Sequence, residues 1–127
     1  MKPDHIYIAP GEANLCCRRS LSGQVSVQLS TERAASGSLP SVDPMFAAMA
    51  QCYGAASGGI VLTGMGRDGT AGARQIVAQG GWVLSQDEAS SVVWGMPGSV
   101  ARAGLVSAML PPGQIMGYVA ARVGVTA

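Results

Sequence analysis

One carboxylate in a glycine-rich bend stands out as the residue of this chain best placed to do chemistry. The stretch Gly59-Ile60-Val61-Leu62-Thr63-Gly64-Met65-Gly66-Arg67-Asp68-Gly69-Thr70-Ala71-Gly72 reads as a strand, a sharp turn and a helix start. Ile60 to Leu62 is a short apolar run, as expected of a strand covered on both faces. Gly64, Gly66 and Gly69 let the backbone turn and come close to whatever sits above it. Asp68 stands at the tip of the bend. In an open parallel sheet, ligands bind beyond the carboxyl ends of the strands, so the position suits a working group.

Three chemistries fit this pattern. The first is dinucleotide binding. Gly64-Met65-Gly66-Arg67-Asp68-Gly69 matches G-x-G-x-x-G between a strand and a helix, and Asp87 follows at the end of the next strand. A pyrophosphate would sit on the first amides of the helix, where the Asp68 carboxylate would repel it. The second is a helix cap, since an aspartate just before a helix accepts its orphan amides. The third is the orienting acid of a Ser-His-Asp triad, which must be ionised and within reach of an imidazole. His5 is the single histidine, and its place near the amino end of the sheet puts it away from Asp68. Ser57 precedes its strand, whereas a nucleophile elbow runs strand, serine, helix.

The elements that must position Asp68 follow from the rest of the chain. Ile6-Tyr7-Ile8-Ala9-Pro10 reads as a first strand, and Asn14 to Ser22 as polar and irregular. Gln24 to Leu29 alternates with period two, as an antiparallel edge strand does. Ser30 to Pro40 is a loop. Ser41-Val42-Asp43-Pro44 carries helix-start signals, Met45, Met49 and Cys52 recur at helical spacing, and Gly54 closes the helix. The methionine stripe is read as core. Thr70 to Gln79 predicts a helix with Ile76 and Val77 inward. Trp82 to Ser85 predicts a second parallel strand, with Gln86 to Ser91 at its carboxyl end. Gly95-Met96-Pro97 opens a short helix that Gly104 closes, and Leu105 to Leu110 predicts a further strand. Pro111-Pro112-Gly113 starts a last helix with Ile115, Met116, Val119 and Val123 on its apolar side. Alternating strands and helices imply a doubly wound, mostly parallel sheet, a Rossmann-like three-layer α/β/α domain.

Composition narrows the function. A chain of 127 residues is one domain. Only 12% of residues are charged and the net charge is +1, so nothing draws it to nucleic acid or an acidic membrane surface. No apolar run reaches the length of a membrane span. Cys16, Cys17 and Cys52 lack metal-ligand spacing and fit free thiols in a reducing cytoplasm. No metal and no cofactor is expected.

Four ordered segments carry a resemblance. Asp4 to Gly11, Pro40 to Asp43 with Phe46, Leu62 to Gly72, and Gln86 to Pro97 resemble the catalytic domain of the bacterial chemotaxis receptor methylesterases, the CheB family. Trp94 stands where another aromatic is usual. The resemblance spans roughly residues 3 to 120. It implies a serine hydrolase acting on glutamyl methyl esters of methyl-accepting chemotaxis receptors, with glutamine deamidation as a related activity. Asp68 matches the triad aspartate. Met65 matches a residue lining the site near the oxyanion, and its neighbours Gly64 and Gly66 are expected to line it too.

In the family, the nucleophilic serine and the histidine lie upstream of the segment matching Ile6 to Ala9. The resemblance therefore implies residues 1–127 to be the C-terminal part of a catalytic domain, truncated at its amino-terminal side and without a receiver domain. Such a chain is expected to lack normal esterase activity alone. Its uncovered sheet is expected to form a homodimer or to pair with a missing N-terminal segment. A non-catalytic assembly module on the same fold and a dinucleotide-binding module are the other readings.

Overall fold

In the computed structural model, which describes residues 1–124, three parallel strands form the sheet that carries the bend. They are β3 (Gly58–Val61), β4 (Trp82–Gln86) and β5 (Ala108–Leu110), in that spatial order. A separate antiparallel ribbon joins β1 (Asn14–Arg19) to β2 (Val25–Ser30), with Leu15 opposite Leu29 and Arg19 opposite Val25. The antiparallel strand expected at an edge is β2, and it sits in this sheet of its own.

The register dictates the layers. Gly59 pairs with Val83 and Val61 with Ser85, while Ile60 pairs with Leu84. Side chains alternate along a strand, so Val61, Val83 and Ser85 share one face and Leu84 and Trp82 the other. The first face lies under α1 (Val42–Tyr53), α2 (Thr70–Ala78) and α3 (Met96–Arg102). Phe46, Ala50, Val61, Ala73, Ile76, Val83 and Val100 fuse there into one core. Ile76, Val83 and Val100 are fully buried, each contributing about 1.5–3 kcal/mol of apolar burial. The second face lies under α4 (Pro112–Val123), whose Arg122 guanidinium is 5.8 Å from the Trp82 ring centre. Ile115 is the buried residue of that helix.

Two glycines bring the first layer close enough to work. An added Cβ at Gly72 would lie 2.7 Å from Phe46 Cβ and 2.8 Å from the Asp43 carbonyl. At Gly59 it would lie 2.9 Å from the Phe46 ring. Hence α1 meets α2 backbone to backbone at Gly72, and the Phe46 ring packs against β3 at Gly59.

Several elements differ from their sequence reading. Ile6 to Ala9 forms no strand: Ile6 and Ile8 are 91% and 85% exposed, and among the described residues no strand lies alongside to accept their amides. Asn14 to Arg19, read as irregular, is β1. Its Cys16-Cys17-Arg18-Arg19 core lacks alternation, and pairing with β2 creates the strand. The strand at Ile60 is covered on one face only. Val61 is 2% exposed but Ile60 is 36%, because β3 is the edge of the sheet and α4 packs on the far side toward β5 and the Trp82 ring of β4. Val77 is exposed rather than inward, being one position past the stripe that Ala73 and Ile76 define. Met116 and Val123 are exposed too, since α4 meets the sheet along one narrow line. The last strand is shorter than Leu105 to Leu110, beginning at Ala108.

Gly72→Ala is the sharpest test of this packing. The methyl group has only backbone and Phe46 Cβ to displace, so the variant should lose about 1–3 kcal/mol, read as a lower urea midpoint. A midpoint equal to the parent's would show that α1 and α2 separate freely.

Candidate active site

Asp68 is buried between the bend and the start of α1. Its Oδ1 accepts from Ser41 Oγ at 2.6 Å, Ser36 Oγ at 3.3 Å and the Asp43 amide at 3.3 Å. Its Oδ2 accepts from the Val42 amide at 2.8 Å. Asp68 is therefore a helix cap, but for α1 rather than for α2, the helix it precedes. The start of α2 is capped by Asp43, whose Oδ1 accepts from the Gly69 amide at 3.0 Å and the Gly72 amide at 2.8 Å. Each helix is capped by the carboxylate that belongs to the other. Gly69, at φ +98, supplies the left-handed turn that makes the exchange possible.

The electrostatics of the two acids diverge. Burial by itself would raise the pKa of Asp68, but hydrogen bonds from Ser41 and the Val42 and Asp43 amides outweigh it and hold the carboxyl below the ordinary value. Burial pushes Asp43 up, aided by the neighbouring charge of Asp68 and opposed by the Gly72 and Gly69 amides. Asp68 is thus the acid that stays ionised.

The rim of the bend is fixed by a second network that the sequence does not announce. Gln86 Oε1 accepts from the Thr63 amide at 2.8 Å, and its Nε2 donates to Ser90 O at 2.9 Å. Trp94 Nε1 donates to the Gln86 carbonyl at 3.0 Å. Gly64 is pinned on both sides: its amide donates to Val93 O, and its carbonyl accepts from the Gly95 and Met96 amides. A Cβ on Gly64 would meet Met96 Sδ at 2.8 Å. Next to it, Met65 projects outward, 83% exposed, and Gly66 turns the chain at φ +94. The Met65 and Gly66 amides donate to no described residue.

The remaining candidates lie elsewhere. Ser57 is buried at the amino end of β3, its hydroxyl donating to the Gly54 carbonyl at 2.6 Å. His5 is exposed, with Nδ1 2.7 Å from the Pro3 carbonyl. It lines an apolar pocket of about 280 Å³ together with Met45, Phe46 and Gly58, at the amino end of β3. Asp87 accepts from the Ser90 amide at 3.2 Å and closes a local turn. The Gly69 and Gly72 amides, which a pyrophosphate would need, are already taken by Asp43. The sequence marks Ser41, Val42 and Asp43 as a helix start but does not show that all three reach Asp68. Proline and a capping serine betray the helix, not the partner its first turn will find.

A three-layer α/β domain with an ionised carboxylate at the carboxyl rim of its sheet is the class these features define. The model of the CheB methylesterase family matches residues 1–119. The chain is 46% identical over 120 residues to protein-glutamate methylesterase/protein-glutamine glutaminase 2 of Caulobacter vibrioides, covering 94% of this chain and 35% of that protein. It is 47% identical over 110 residues to the protein-glutamate methylesterase/protein-glutamine glutaminase of Maricaulis maris, covering 87% of this chain and 27% of that one. The crystal structure of the Thermotoga maritima CheB methylesterase catalytic domain superposes with a TM-score of 0.81 at 36% identity, over 86% of this chain and 57% of that domain. The chain belongs to the CheB methylesterase family. It spans about a third of the length of the curated relatives it matches.

The exchange of caps makes a stability prediction. Asp68→Ala leaves the Val42 amide and Ser41 hydroxyl without their acceptor and should cost about 1–3 kcal/mol. A carboxyl with a depressed folded value adds stability that is fully present above its unfolded value, near pH 4. That stability is lost as the pH falls through the lower folded value. Asp43 acts in the opposite sense, its ionised form costing stability until the pH drops below its raised value. Urea midpoints at about pH 7 and pH 3 should therefore fall in the parent and fall less in Asp68→Asn. An undiminished fall in the variant would locate the acid-sensitive group elsewhere.

Proposed function

We propose that this chain contributes the orienting acid, Asp68, and part of the oxyanion wall to a protein-glutamate methylesterase site. The observation that carries the reading is the unequal use of the Asp68 oxygens. Oδ1 is saturated by three donors, while Oδ2 takes only the Val42 amide. A carboxylate oxygen has two lone-pair sites, so Oδ2 keeps one acceptor for an imidazole N–H. The three bonds on Oδ1 fix where that acceptor points, and the depressed pKa keeps it charged.

In this mechanism a serine attacks the ester carbonyl of a glutamyl side chain while an imidazole takes the serine proton. Asp68 Oδ2 holds the imidazole by its other N–H and stabilises the imidazolium. The Met65 amide, free of internal partners and next to the pinned Gly64, is positioned to donate to the oxyanion. Methanol leaves, and water then releases the glutamate. The serine and the imidazole come from chain outside the present residues, since Ser57 and His5 lie at the opposite end of β3. The half-bare β3, with Ile60 and Leu62 exposed, is the surface against which that segment, or a second copy, would pack. Methyl-accepting chemotaxis receptors are the proposed substrates and the cytoplasm the proposed location. Among the described residues no helix is long and apolar enough to cross a membrane.

Methanol release from a methylated receptor tests this directly. The chain alone should give background. Mixed with the preceding part of the Caulobacter vibrioides relative's catalytic domain, it should turn over ester, and Asp68→Asn in that mixture should lower kcat by about 10⁴-fold. Full activity of the chain alone, or a mixture indifferent to Asp68→Asn, would refute the proposal.

A further inference from the structure

A pocket of about 220 Å³ opens beside Asp68, between the 33–37 loop and the first turns of α2. Thr70 and Arg74, one turn apart on α2, line one side of it together with Arg67 from the bend that precedes the helix. Ser36 and Asp43 form the other side. Ser36 also donates to Asp68 Oδ1, so the pocket and the acid share a wall. Arg67 and Arg74 are exposed. The hydrogen bonds of this corner run to the carboxylates of Asp43 and Asp68 from amides and hydroxyls. None comes from either guanidinium.

The charge balance makes this unusual. Asp43 and Asp68 have their charge met by the amino ends of α2 and α1, where backbone N–H groups and the helix dipole favour an anion. Among the described residues, the two guanidiniums beside them are therefore left without an internal counterion. A guanidinium is a planar fork suited to carboxylate. Two of them lining one concave surface, next to an acid proposed to work on glutamyl esters, call for a second carboxylate on the same substrate.

We infer that the Arg67–Arg74 pocket is a subsite for an acidic side chain flanking the esterified glutamate of a polypeptide substrate. The inference rests on the methylesterase reading for what lies next door, but the subsite binds by charge and shape alone. It sets which ester is presented to Asp68, and so acts on substrate choice rather than on the bond-breaking step.

The test uses two helical peptides, each with one glutamyl methyl ester, flanked by glutamates in one and by glutamines in the other. The present chain should bind the acidic peptide more tightly, and the difference should shrink as salt is raised. Arg67→Ala and Arg74→Ala, both at exposed positions, should each weaken the acidic peptide about tenfold and leave the neutral one unchanged. In the reconstituted enzyme the same variants should raise KM for the acidic peptide with kcat intact, unlike Asp68→Asn. Equal binding of the two peptides, or arginine variants that weaken both alike, would overturn the subsite. Selective binding without turnover of either peptide in the mixture would overturn the methylesterase reading and leave the subsite standing.

Discussion

Two carboxylates that trade helices hold this structure together. Asp43 is built into the first turn of α1 yet caps α2, and Asp68 precedes α2 yet caps α1. Orphan amides at a helix start demand acceptors, and here each demand is met across the interface. The exchange requires the two helix starts to sit side by side, and the missing side chain at Gly72 permits that distance. The core follows from it. Once α1 and α2 are locked, Phe46, Ile76 and Val61 have little freedom left in how they meet.

The same exchange sets the conditions that the proposed catalytic role of Asp68 requires. A catalytic acid has to be ionised, oriented and only partly satisfied. Helix amides and Ser41 supply the first two conditions, and the uneven loading of Oδ1 and Oδ2 supplies the third. The rim is prepared independently. Gln86 and Trp94 stitch the loop after β3 to the loop after β4, so Met65 is presented from a pinned neighbour rather than from a mobile arm. Asp68 and the proposed oxyanion wall are therefore held by separate networks.

Much of this was legible in the residues themselves. The bend, the helix starting at Ser41, the parallel strand at Trp82 and the short helix at Met96 all announce themselves through local chemistry: β-branched runs, caps, glycine stops. What stayed hidden depends on partners distant in sequence. Asn14 to Arg19 becomes a strand only because β2 lies against it, and Ile6 to Ala9 fails to become one although its pattern is stronger. The exposure of Ile60 follows from its place at the edge of the sheet, which no local pattern encodes. At the site, the sequence showed an aspartate in a cap-like position and offered cap and catalytic acid as rivals. The structure places Asp68 as a cap for the other helix, with Oδ1 more heavily loaded than Oδ2.

The crossed caps also tie the two acids to each other's charge. Position 43 can change only if something else quiets the start of α2, and any such change alters the charge that position 68 feels. Under the proposed mechanism, a change at either position would act on folding and on the reaction together.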